Sequence, residues 1–286
     1  MQILRNPWTR LPIILVVAYV AVLATVWAMQ DRLIFPGAYM PAPNFTSLHL
    51  NKLDGMTLPG PGGGFFALVS APKEGRPVVI AFHGNGMYPE DFGSISADLV
   101  KMRAGVIAPA YPGYPRSPGH PSEAAIHAMA EATYDWVRAT YPASPVIVLG
   151  HSLGSGPAVR LAARHEVSGL ILLAPFLSLS SVAVDKMPFL PVSLLLSSPF
   201  RNDLEIPNVT APVLTMHGNA DQVIPATSGE ALMRLAKPSD AFVILKGIDH
   251  EWILSDKSAI SRIHAFVEDT ATTVENDPPA TRENNR

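Results

Sequence analysis

The 286-residue sequence predicts a single α/β domain, with a mostly parallel central sheet covered by helices on both faces. Three observations carry this. Short apolar, β-branched runs alternate with stretches of helical periodicity between residues 65 and 267. One run, 145–149, breaks into Gly150, His151, Ser152, Leu153 and Gly154 and then into a small-residue helix. Hydrophobic residues make up 48% of the chain, enough for one large core.

Composition narrows the class. A net charge of −3 gives no basic field, so no nucleic-acid partner is expected. The absence of cysteine removes disulfides, thiolate metal sites, a cysteine nucleophile and a lipidated cysteine together. The 28 prolines mark many defined loops.

In chain order, residues 11–29 carry no charge. At about 1.5 Å per residue a helix of that length covers about 28 Å, close to the hydrocarbon thickness of a bilayer. It predicts a single-pass membrane anchor. Trp8, Tyr19 and Trp27 add aromatic character, two of them near the ends. Arg5 and Arg10 precede the span while Asp31 and Arg32 cancel after it, so residues 1–10 are expected in the cytoplasm and the rest of the chain outside it. A cleaved signal peptide, with Val26 and Ala28 before the cut, is the alternative, although its apolar core would be unusually long. Residues 30–43 have too many prolines for a helix and read as a juxtamembrane linker packed on the domain.

The domain is expected over 44–270. Strands are predicted at 65–70, 77–82, 106–110, 146–149, 169–174, 212–217 and 241–245. Helices are predicted at 121–141, 153–164, 225–236 and 255–267. Pro157 fits only in a first helical turn. Residues 176–208 lie between two predicted strands, and their apolar 189–196 stretch would suit an acyl chain, or would simply cover the sheet. Residues 271–286 read as a disordered tail.

The chemistry centres on Ser152. A strand ending in a sharp turn between two glycines lifts one hydroxyl clear of the sheet. A serine hydroxyl needs a base, and the base needs a carboxylate to orient it. Asp221 follows one apolar strand and His250 follows the last, in the order Ser, Asp, His. Asp249 is the other carboxylate near the ring, but adjacent residues rarely align so. His83, His127, His151, His217 and His264 read as structural. The N–H of Leu153, with that of Asn85 or next Gly86 in the Phe82 to Gly86 turn, would receive an oxyanion. No histidine and carboxylate cluster has metal-ligand spacing, so no metal or cofactor is expected.

These residues together resemble the α/β-hydrolase superfamily, in particular the membrane-anchored Bem46-like hydrolases of the alpha/beta hydrolase domain-containing 12, 13 and 17 types. The likeness runs from the anchor through His264, taking in Leu33 to Pro36, Phe82 to Gly86, the elbow at Ser152 and the loops of Asp221 and His250. The family's Tyr-Arg-Gly-Tyr-Gly signature falls at Tyr111, where Pro112 and Pro115 depart from the usual Arg and Gly. The resemblance implies a small cap inserted over residues 176–208, and a serine hydrolase of esters or thioesters acting on small-molecule or lipid acyl substrates. A serine at the elbow argues against the dehalogenases and epoxide hydrolases, which use aspartate there. A peptidase of the same fold and a non-catalytic binding protein are the alternatives.

Overall fold

The computed structural model describes residues 7–41 and 53–276. Arg5, the first six residues, residues 42 and 43 of the expected linker, and residues 277–286 of the expected tail lie outside the described residues.

The first element among the described residues is helix α1 (Pro7–Ile34). Within it, the 25 residues Arg10–Ile34 include an 18-residue window of mean hydropathy 2.5 with none of its residues buried, so the helix is long and apolar enough to cross a membrane. The helix does not stop at Met29. No proline occurs until Pro36, so its hydrogen bonds continue through residues expected in the linker. Ile34 and Phe35 are then buried in the core, which packs the start of that segment on the domain as expected.

Among the described residues eight strands follow in one sheet: β1 (Asp54–Leu58), β2 (Phe65–Ser70), β3 (Val78–Phe82), β4 (Gly105–Pro109), β5 (Val146–His151), β6 (Gly169–Leu173), β7 (Val213–Gly218) and β8 (Ala241–Leu245). Their order is β1-β2-β4-β3-β5-β6-β7-β8. β1 and β2 are antiparallel, β2 joins β4 antiparallel, and every later pairing is parallel. The central strands are buried on both sides, which is why they read as unbroken apolar runs rather than alternating ones.

Successive side chains on one strand serve opposite cores. Val78, Ile80 and Phe82 join the core closed by α3 (Glu123–Thr140), α4 (Ser155–Arg164) and α8 (Ala226–Met233). Val79 and Ala81 join the core closed by α2 (Gly93–Lys101) and α9 (Lys257–Asn276). Ser122 starts α3 by accepting a hydrogen bond from the Ala125 N–H at 3.1 Å. α9 continues past 270, against the expected tail, because Ile263, Val267 and Ala271 extend its buried stripe at helical spacing. Between β6 and β7 lie three short helices, α5 (Leu179–Lys186), α6 (Val192–Leu195) and α7 (Asn202–Glu205).

Candidate active site

β5 ends at His151, and Ser152 takes φ 52°, a left-handed conformation that costs any residue with a side chain. The turn is closed too tightly for anything but glycine beside it. A Cβ on Gly150 would stand 2.4 Å from the Gly154 carbonyl oxygen, and one on Gly154 would stand 2.0 Å from that of Phe82. Pro157 falls in the first turn of α4, where its missing N–H leaves no bond unmade.

Parallel strands deliver the other two side chains to the same sheet edge. Asp221 follows β7 and His250 follows β8. His250 Nε2 lies 2.8 Å from Ser152 Oγ, and His250 Nδ1 lies 2.6 Å from Asp221 Oδ2. A carboxylate can only accept, so Nδ1 carries the proton and Nε2 is free to accept from the serine hydroxyl. All three residues are buried in the main, at 6%, 7% and 9% exposure for Ser152, Asp221 and His250.

The Asp221 carboxylate is held in place by its own loop. Its Oδ1 accepts from the Val223 and Ile224 N–H groups, each at 2.8 Å. Burial acts to raise the Asp221 carboxyl, but hydrogen bonds from His217 and His250, the charge on His250 and the Ile224 N–H outweigh it and hold the group well below the usual carboxylate range. His217 Nε2 sits 3.3 Å from Asp221 Oδ2 and 2.9 Å from the Ile224 carbonyl oxygen. His151 Nε2 donates to the His250 carbonyl at 3.0 Å. Both histidines read as structural in the sequence; the fold places His217 against Asp221, four residues on, and His151 against His250, a tertiary relation that no spacing announces. Asp249 turns away and accepts from the Glu251 and Trp252 N–H groups at 3.2 and 2.9 Å.

On the far side of the serine, Asn85 and Leu153 line the same cavity as Ser152, and Gly86 is not on that wall. The Asn85 carbonyl accepts from the Gly37 N–H at 3.2 Å and from the Tyr114 hydroxyl, and the His83 carbonyl accepts from the Tyr111 hydroxyl at 2.5 Å. The tyrosines flanking Pro112 thus brace this turn, and the replaced positions themselves do not.

The cavity holds about 210 Å³ and its wall is overwhelmingly apolar. That exceeds the roughly 150 Å³ cavity known to admit benzene. Its roof comes from α5 and the 187–196 stretch, and one side comes from α1 through Val26, Trp27, Gln30, Leu33 and Ile34. The contribution of α1 was not legible in the sequence, where those residues belonged to a span and a linker. Among the described residues, no group of three or more His, Asp or Glu side chains is arranged to hold a metal.

Comparison with known proteins agrees with this architecture. The family model described as alpha/beta hydrolase fold matches residues 77–196. An uncharacterized protein of Mycobacterium tuberculosis is 31% identical over 274 residues, covering 91% of this chain and 96% of its own. Human alpha/beta hydrolase domain-containing protein 17B is 31% identical over 192 residues, 65% of this chain and 64% of that one. Among solved structures, a membrane phospholipase A described as a bacterial virulence factor superposes with a TM-score of 0.60 at 17% identity, covering 91% of this chain and 99% of that one. That likeness is one of fold. With the sheet order, the serine turn and these relatives together, the chain belongs to the α/β-hydrolase superfamily and has Bem46-like relatives within it.

Proposed function

We propose that the protein is a serine hydrolase that cleaves carboxylic ester or thioester bonds through an acyl-enzyme on Ser152. Family membership supports hydrolysis; the observation that carries the finer reading is the unbroken chain of contacts from Ser152 Oγ through the His250 ring to Asp221. His250 takes the serine proton as Oγ attacks the carbonyl carbon, then returns that proton to the departing alcohol or thiol. Water then attacks the acyl-enzyme carbonyl carbon and gives a proton to His250, which passes it to the departing Ser152 Oγ as the carboxylic acid is released. Asp221 stays ionised, holding the ring and offsetting its charge. The N–H groups of Leu153 and Asn85 receive the oxyanion, two donors worth several kcal/mol between them at roughly 3–4 kcal/mol each.

An acyl lipid is the substrate class that the apolar cavity favours, and the phospholipase name of one fold neighbour points the same way. The reading includes an uncleaved anchor at α1, with the domain on the extracytoplasmic side and the arginines before the span inside. A fluorophosphonate should add covalently to Ser152 in the wild type, and a panel of acyl esters and aminoacyl amides should show turnover of the esters. A folded protein that takes no adduct would instead be a binding protein, and amide preference would make it a peptidase. Protease added outside cells with a permeable outer envelope should digest the domain; protection would reverse the orientation.

A further inference from the structure

We propose that α1 is a working wall of the acyl pocket, and that the pocket takes long-chain acyl esters directly from the bilayer through an opening between α1 and the segment after α5. The proposal rests on ester hydrolysis at Ser152.

The first support is continuity. Ser152 and Leu153 share one cavity with Val26, Gln30 and Leu33 of α1, and these positions climb α1 away from the domain. From Ile34 to Val26 is about 12 Å at 1.5 Å per residue, so an acyl chain rising from the serine would lie along two turns of the helix.

The second is that α1 is fixed to the roof rather than tethered loosely beside it. Gln30 is buried, and its Oε1 accepts from the Ser197 N–H at 2.8 Å and from the Ser197 hydroxyl at 3.0 Å. Its amide nitrogen donates to the Trp27 carbonyl at 2.9 Å, so the side chain has no slack. A buried amide among the apolar side chains of this wall keeps its place only when such partners are met.

The third is depth. The Tyr19 hydroxyl donates to the Phe189 carbonyl at 3.0 Å, and Tyr19 lies ten residues before Met29, about 15 Å into the apolar stretch. The roof therefore reaches alongside the span. Its tip suits that position: Phe189 is 87% exposed, and residues 187–200 carry no charge. An apolar tip and an apolar wall at that level leave the mouth open to hydrocarbon, so an acyl chain passes from lipid to serine without crossing water.

Substitution on this wall should separate chain length from chemistry. The full-length protein is reconstituted in phosphatidylcholine vesicles and assayed with p-nitrophenyl acetate and with p-nitrophenyl palmitate carried in the vesicles. Val26→Trp, which fills the upper pocket, should lower the palmitate-to-acetate ratio of kcat/KM by about tenfold or more. Val20→Trp makes the same change at an exposed span position off the cavity wall and should leave the ratio as in wild type. An unchanged ratio in Val26→Trp, an equal fall in both variants, or a wild type that cleaves acetate but not palmitate would overturn the proposal and leave serine hydrolysis standing. A wild type that cleaves neither ester and takes no fluorophosphonate would remove the hydrolase reading itself.

Discussion

The ring of His151 donates from Nε2 to the backbone carbonyl of His250 at 3.0 Å, so the residue just before the proposed nucleophile holds the loop that carries its base. The contact fixes the tautomer of His151, since a carbonyl can only accept. Burial first, and then the charge on His250, lower the His151 pKa to about 3, so it stays a neutral donor wherever the enzyme works.

Replacing His151 with Phe removes the donor but keeps a flat ring. The His250 loop then loses its tie, and kcat should fall by roughly 10- to 100-fold, as small misplacements of catalytic groups do. His151→Gln, which can still donate, should recover part of the loss. KM for a short ester should change by less than kcat. Steady-state kinetics on the three proteins checks this, and an equal loss in Phe and Gln variants would show that packing, not the hydrogen bond, was at stake.

The choice of acid is tested by a pair of substitutions. Asp221→Asn keeps the shape but leaves His250 Nδ1 without a carboxylate, and should cost about 10³- to 10⁴-fold in kcat. Asp249→Asn alters an exposed turn and should leave activity within about twofold. Ser152→Ala should abolish turnover, and combining it with His250→Ala should add little, because the groups act as a unit. Reversed effects at Asp221 and Asp249 would reassign the acid.

How much of this was legible in the sequence depends on how local each signal was. The elbow could be read because its strand, turn and helix are contiguous, and Asp221 and His250 because each follows an apolar strand in the expected order. β1 was missed: only Leu58 of its five residues is buried, so an edge strand of this kind has no alternation to read. α2 was missed because Ile95 and Leu99 are nearly its only signal amid serines. The roles of His151, His217 and Gln30 depend on partners 99, 4 and 167 residues away, and only the last strand-end histidine lay close enough to have been suspected. The sequence places the end of α1 too early because the prolines of 30–43 begin only at Pro36, and the helix continues until that first proline approaches.

Two buried histidines make folding stability fall as pH falls. Burial lowers His83 to about 4, against the opposing hydrogen bond to the Gly84 carbonyl, and His151 to about 3, from an ordinary value of 6.5. Below pH 6.5 the unfolded chain binds protons at both sites while the folded chain does not until its own lower values are reached. Each site therefore removes up to about 1.4 kcal/mol per pH unit as pH drops through that window. The Asp221 contribution has the same sign but is lost lower, below the ordinary carboxylate range. Urea unfolding in detergent micelles at pH 8, 6.5 and 5 should show a midpoint that falls mainly in the second interval. His83→Gln should flatten that fall, and a slope unchanged by the substitution would show that His83 is not a buried neutral group.

Phe35 decides whether the stretch after the span is a tether or part of the core. It is fully buried, and its ring meets that of Phe200 edge-on at 6.4 Å. Phe200 in turn packs on Gly156 so closely that a Cβ there would stand 2.4 Å from the ring. The helix end is therefore keyed through two aromatic rings to the first turn of α4, directly behind Ser152. Truncating Phe35 to Ala should cost about 3–5 kcal/mol, because the hole opens in a packed interior that cannot collapse around it. Phe35→Leu should cost less. A loose linker predicts under about 0.5 kcal/mol for either change. Urea unfolding of the full-length protein in micelles measures the difference, and limited proteolysis adds a local readout: cleavage between residues 35 and 41 should rise in Phe35→Ala before the rest of the domain is cut.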